Sequence, residues 1–167
     1  EISLTINWDA DPVTRAISDG RCVDKLIYAV MTAEGEFISR SEKILTSGVP
    51  SGEVTMNASL VGGKTYKVVC WAQSSKCDAY TVSDDMVLSV DYNGAANDEL
   101  RDAFYGVSEP FTLSQAQAEV TLRRPFAQLN AGTHTFDWEF VTGRHGYDVK
   151  KSAAKVRGVA DKLNLID

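Results

Sequence analysis

The run Gly62-Gly63-Lys64-Thr65 is the nearest this chain comes to a catalytic signature. In a phosphate-binding loop the lysine and hydroxyl reach phosphate and magnesium, but the full motif needs an earlier glycine and a following helix. The earlier position is Ala58 and a β-rich run follows, so the four residues read as a hairpin turn. A nucleophilic triad needs a histidine base beside a serine, cysteine or threonine. His134 and His145 are the two histidines; no G-x-S-x-G elbow accompanies them, and each reads as a surface loop residue. Nor do two histidines and unpaired cysteines make a zinc set. Carboxylates gather at Asp9/Asp11, at Asp84/Asp85 and over residues 91–99. The last group has oxygens suited to calcium, but Ala95 stands at the third acidic position of an EF-hand loop and a glutamate at the twelfth is missing. It reads as a solvated turn leading into a helix cap. A glycosidase pair is assembled only by folding, so spacing does not raise one above background. Trp8, Trp71, Trp138, Tyr92 and Tyr105 offer an aromatic platform for sugars, yet tryptophan is heavily buried on average and the set reads as core. The residues therefore point to no catalytic group, no cofactor and no metal.

The elements that must position these residues are strands. Ile2, Leu4, Ile6 and Trp8 alternate with polar residues, the pattern of a half-buried strand. Residues 25–33 are denser in apolar side chains, as a central strand requires, and Glu34-Gly35 turns them into a partner at 36–39. Residues 53–60 alternate again and Gly62-Gly63 turns them back into 65–72; 86–90 and 118–122 are further strands. One short helix is expected over 97–105, with Asn97 as N-cap, Leu100, Ala103 and Phe104 on one face and Gly106 as the stop. Residues 133–152 read as an irregular loop with a short helix near 137–142, and 154–166 regains alternation at Val156, Val159, Leu163 and Leu165. The most informative stretch is Thr121-Leu122-Arg123-Arg124-Pro125, a strand that runs into a proline. Proline lacks an amide donor, so the strand fits an edge, a bulge or a crossing between sheets, and the two arginines are expected to pair with surface carboxylates.

With 167 residues the chain is read as one domain, 1–167, large enough to bury a core without staples. Its net charge of −6 and scattered basic residues argue against nucleic acid and against an anionic membrane surface. No apolar run approaches the ~20 residues of a membrane-spanning helix. The chain starts at Glu1 without an initiator Met or signal pattern, as expected of a trimmed chain. Cys22, Cys70 and Cys77 do not decide the compartment. Cys70 lies in a strand and behaves as a small hydrophobe, while the short loop to Cys77 leaves a Cys70–Cys77 bridge open. Thr14-Arg15-Ala16 follows the first strand in a polar segment where proteases would cut; the competing reading is a solvated surface arginine.

Two blocks, residues 97–105 (NDELRDAFY) and 121–130 (TLRRPFAQLN), resemble the fimbrillin-like surface proteins of Bacteroides-type bacteria. Thr14-Arg15-Ala16-Ile17, Lys64-Thr65-Tyr66, Trp71-Ala72-Gln73 and residues 159–165 (VADKLNL) extend the similarity along nearly the whole chain. The resemblance implies an all-β, Greek-key, transthyretin-like β-sandwich of about seven strands with one short helix. It implies the N-terminal domain of a longer surface lipoprotein or pilus subunit, located at the outer membrane's extracellular face, with a lipid anchor upstream and no enzyme activity. In assembled relatives an arginine-directed protease removes the first strand and another subunit's strand fills the groove. Carried onto this chain, Ile2, Leu4, Ile6 and Trp8 belong to the removable strand and Arg15 is the candidate processing site. Partners would then be other pilin-like subunits or host and bacterial surface ligands. The competing expectation is a glycan-binding module of a surface nutrient-uptake system, marked by exposed coplanar aromatics; a hydrolase, needing a polar cleft around His134 or the carboxylates, ranks last.

Overall fold

A computed structural model of the chain describes residues 2–8, 20–46, 52–94, 98–114, 117–126 and 155–166. It is an all-β sandwich, as expected. In chain order the strands are β1 (Ile2–Trp8), β2 (Lys25–Thr32), β3 (Phe37–Ile44), β4 (Gly52–Met56), β5 (Thr65–Gln73), β6 (Tyr80–Val82), β7 (Val87–Val90), β8 (Ala103–Val107), β9 (Phe111–Thr112), β10 (Gln117–Leu122) and β11 (Lys162–Asn164). Seven of these have five or more residues (β1 to β5, β8 and β10) and four are shorter, so the described residues hold more strands than the about seven expected. All eleven lie in a unit formed by Glu1–Pro125 with Asp161–Asp167. Phe126–Ala160 forms a second unit, and the expected loop and short helix within 133–152 lie outside the described residues.

The central layer has the order β3-β2-β5-β8, with β9 also on β5. Both of its faces are covered, which explains why β2 and β5 are apolar almost throughout rather than alternating. On one face lies the sheet β10-β1-β4, and the core between them joins Leu4, Ile6, Val54, Val120 and Leu122 to Tyr28, Val30, Val68, Cys70 and Phe104. On the other lies β11-β7-β6, whose Tyr80 packs edge-on against Trp71 at 5.5 Å. Trp71 is fully buried there and its indole nitrogen donates to Gln73 at 2.8 Å, so a buried donor has its partner. At the far end of the same face the Tyr105 hydroxyl donates to the Leu165 carbonyl at 2.7 Å.

The β2–β3 hairpin forms as the sequence indicated, with Gly35 at φ +91° in its turn. Two expectations are corrected. The Gly62-Gly63 turn joins strands of different sheets: β4 pairs with β1, whereas β5 pairs with β2, β8 and β9, so no hairpin forms there. The helix over 97–105 is a single 3₁₀ turn, Glu99–Arg101, capped by Asp98. Asn97 lies outside the described residues, and Ala103, Phe104 and Gly106 belong to β8. The reason is tertiary: β5 offers a complete ladder to residues 103–107, and Phe104 fills the sandwich core when the backbone is extended. Of the alternation expected over 154–166, the described residues form a strand at Lys162–Asn164.

Candidate strand-exchange site

β1 is the interior strand of its sheet. It runs parallel to β10, from Ser3↔Gln117 to Trp8↔Leu122, and antiparallel to β4, from Ile2↔Met56 to Ile6↔Gly52. Leu4 and Ile6 are buried at 0% and 1% exposure, while Thr5 and Asn7 face solvent. The alternation that marked the strand in the sequence is thus its division between core and water. Arg15, the candidate processing residue, and the side chains of Ile2 and Trp8 lie outside the described residues. Lifting β1 away would leave two unpaired edges, on β4 and β10, and an apolar slot floored by the residues around Leu4 and Ile6.

β10 is held at its end by the device the sequence singled out. Its pairing with β1 stops at Leu122; Arg123 then exchanges both main-chain hydrogen bonds with Tyr105 of β8, at 2.8 and 2.9 Å. The strand therefore leaves one sheet and ends on the other, and Pro125 falls just past the last bond, where a missing donor costs nothing. The crossing needs a glycine on the facing strand. A methyl group on Gly106 would meet the Thr121 carbonyl oxygen and lie 2.7 Å from Val120 Cγ1. The sequence marks this residue as a helix stop; in the structure it allows the close approach of two backbones.

Arg124 lies over the Phe104 ring at 5.0 Å and donates to Asp102 Oδ2 at 3.4 Å. Asp102 is nearly buried and also accepts the Gly20 amide at 2.9 Å, tying the segment entering β2 to the segment leaving β10. A short, half-open groove of about 950 Å³ runs between β10 and the β8–β9 corner, lined in part by Val107, Pro110, Phe111, Gln117 and Glu119.

Among the described residues the other candidates do not converge. Among the described residues no group of three or more His, Cys, Asp or Glu is placed to hold a metal ion. Within the acidic stretch, Asp91 caps its own turn by accepting from the Asn93 amide at 2.8 Å, and the Arg101 guanidinium donates to the carbonyls of Asp91 and Asn93. An arginine thus holds oxygens that a cation would need. Lys64 follows Gly63, at φ +82°, in a turn that enters a strand, so it has no helix N-terminus beside it. Of the aromatic set, Trp71 is core, Tyr105 is tied to Leu165 and Tyr92 is exposed; the Trp8 side chain and Trp138 lie outside the described residues. His134, His145, Asp9 and Asp11 also lie outside them. Cys22, Cys70 and Cys77 are all free thiols, so the Cys70–Cys77 bridge is not formed. Burial pushes the Cys70 thiol far above its ordinary range and raises that of Cys77, leaving neither as a ready nucleophile. Among the described residues no helix is long and apolar enough to cross a membrane.

Sequence reasoning missed Asp102, because nothing local distinguishes it from its acidic neighbours; its partners, Gly20 and Arg124, are distant in the chain.

Comparison with solved structures finds the fimbrial anchor protein Mfa2 from Porphyromonas gingivalis, at 14% identity and TM-score 0.50, covering 73% of this chain and 50% of that one. A DUF1812 protein from Bacteroides thetaiotaomicron matches at 18% identity and TM-score 0.49, covering 73% of this chain and 46% of that one. The chain spans about half the length of these structures, and the likeness to Mfa2 is one of fold. No curated protein matches. The sequence matches a family description over residues 1–166, and the chain belongs to that family, the family of unknown function DUF6562.

Proposed function

We propose that this protein is a non-catalytic cell-surface module, a fimbrial subunit or fimbrillin-like lipoprotein that assembles by exchanging its first strand. The observation that carries this reading is the position of β1: the first strand of the chain is also an interior strand, paired on both sides and burying Leu4 and Ile6. Once the chain is cut after it, a strand so placed can leave without unthreading the strands that follow. The slot it leaves demands an extended segment that alternates apolar and polar residues, because only that pattern satisfies both edges and the core together. The fold shared with a fimbrial anchor protein supports the same reading. Cleavage after Arg15 would free the strand, and a strand from another subunit would replace it. The module would then sit at the cell surface, held by a lipid anchor upstream or by its neighbours in a filament.

The test is to treat the purified protein with an arginine-specific protease. Cleavage after Arg15, loss of the Ile2–Trp8 peptide and growth of higher-order species in size-exclusion chromatography are expected. A chain that stays intact at Arg15 and monomeric would overturn the assembly reading.

A further inference from the structure

β11 follows the second unit, Phe126–Ala160, in the chain and pairs with β7. Its attachment is short and can be traced bond by bond. Lys162, Leu163 and Asn164 oppose Ser89, Leu88 and Val87. Beyond the strand's two ends, the Val90 amide donates to the Asp161 carbonyl at 2.8 Å and the Leu165 amide to the Met86 carbonyl at 3.0 Å. Bonded pairs recur at every second residue of an antiparallel ladder, so Leu163 and Leu88 exchange the bonds between them. Within 161–165 Leu165 is buried, Leu163 is half-buried, and Lys162 and Asn164 are exposed. β10, by contrast, buries Ala118, Val120 and Leu122 and pairs with β1 along its whole length.

The edge that receives β11 is built without it. β7 pairs on its other side with β6, and the turn between them closes on Ser83. The Ser83 amide and hydroxyl donate to the Val87 carbonyl at 3.0 and 3.1 Å, and the Val87 amide donates to that hydroxyl at 3.0 Å. The Met86 amide reaches the Ser83 carbonyl at 3.1 Å. These bonds hold Met86 at φ +61°, a left-handed conformation that a methionine keeps only when its surroundings impose it. They thereby fix the carbonyl that Leu165 uses. Tyr105 completes the attachment. Its main chain exchanges both bonds with Arg123, and its hydroxyl donates to the Leu165 carbonyl at 2.7 Å. One residue thus holds the end of β10 and the end of the segment on β7.

We infer that residues 161–165 are an exchangeable strap: the segment leaves β7 while the rest of the sandwich stays folded, Tyr105 is its lock, and the vacated edge takes the same segment from a second copy of the chain. The strap's partners, Met86 to Val90, are distant from it in sequence, so a second copy can supply every bond that the first one makes. The seat selects this occupant. Leu165 borders, together with Met31, Val69, Tyr105 and Val107, a cavity of about 510 Å³, so an apolar side chain is required at that position. Lys162 and Asn164, on the alternate side, lie in water. The inference does not rest on release of β1, which lies on the opposite face of the central sheet.

Amide hydrogen exchange on the full chain tests the strap. Leu88, Val90, Leu163 and Leu165 should exchange together, and sooner than Ser89, whose amide turns the other way, towards Thr81 of β6. Tyr105→Phe should speed that group about two- to tenfold and leave Ser89 unchanged; an unaltered group would show that Tyr105 is not the lock and overturn that part of the inference. A fluorescent peptide of residues 160–167 (ADKLNLID) then probes exchange. It should bind Leu165→Ala, whose own strap has lost its buried anchor, about tenfold or more tighter than the wild type, and should slow Leu88 and Val90 as it binds. The same peptide with Leu163→Ser and Leu165→Ser should not bind. Exchange of Leu88 and Val90 only in step with Ser89 and Val120 would mean that the strap opens by global unfolding, and the inference fails. Equal peptide affinity for the wild type and Leu165→Ala would also overturn it. So would slowing at Ala118 and Val120 instead of Leu88 and Val90, which would place the peptide in the β1 slot.

Discussion

At the scale of single residues, Gly106 and Asp102 control how the two ends of the sandwich meet. Gly106→Ala places a methyl against backbone that cannot move away without breaking the β10 crossing. A loss of about 1–3 kcal/mol is expected, read as a lower midpoint in denaturant unfolding. Asp102→Ala strips the Gly20 amide and Arg124 of their shared acceptor in a nearly buried place, and about 1–3 kcal/mol should be lost. Asp102→Asn keeps one acceptor oxygen and should recover part of that loss; equal stability of all three proteins would show that the contact contributes nothing. Tyr80 gives a prediction in pH. Burial beside Trp71 pushes its phenol up to about 12, and the hydroxyl donates to the Arg101 carbonyl at 2.8 Å. The folded pKa lies above the ordinary value of 10.0, so the neutral form is favoured by folding. Its contribution is full below pH 10 and is lost as pH rises towards 12. The phenolate absorbance titration of the wild type minus that of Tyr80→Phe should show one late-ionising tyrosine.

At the scale of elements, the contrast between two positions on β10 is the sharpest test of the topology. Arg123→Pro removes the amide that Tyr105 accepts, so the strand should lose its anchor on β8 and the protein should unfold more readily. Glu119→Pro, four residues earlier and turned to the same side of the strand, should be tolerated because among the described residues no strand pairs on that side of it. Equal destabilisation by both would show that β10 is paired on its outer side. The element was legible before folding was known: the proline after an alternating strand already required a departure from the ladder. The destination is not written locally, since the spacing of neighbouring apolar residues assigns Tyr105 to a helix and the structure places it in β8. Leu100, Ala103 and Phe104 do fall at helical spacing, but Ala103 and Phe104 are both buried from a strand, Phe104 in the core around Leu4 and Ile6.

At the scale of the whole molecule, the sandwich holds β1 in an interior position between β4 and β10, and this arrangement is the basis of the proposed assembly. Leu4→Ala should cost about 2–5 kcal/mol in the uncut chain, because it empties a fully buried site. In the cut chain the same substitution should speed release of β1, which can be followed by mass spectrometry. An excess of synthetic Ile2–Trp8 peptide added after cleavage should refill the slot and suppress polymerisation. Polymer growth unaffected by that peptide would show that the slot is not the acceptor.

The sequence by itself determined the β class, the apolar faces of β1, β2 and β5, the β2–β3 hairpin and the break at Arg123-Arg124-Pro125. Each of these follows from local periodicity and from the chemistry of glycine and proline, which act within a few residues. Tertiary structure alone decided that β1 lies between β4 and β10, that β4 does not pair with β5, and that Asp102 joins Gly20 to Arg124. Those choices depend on which distant edge satisfies a strand's unused hydrogen bonds while keeping its apolar side on the core. Ser3 meets Gln117 for that reason, and no pattern near either residue records it.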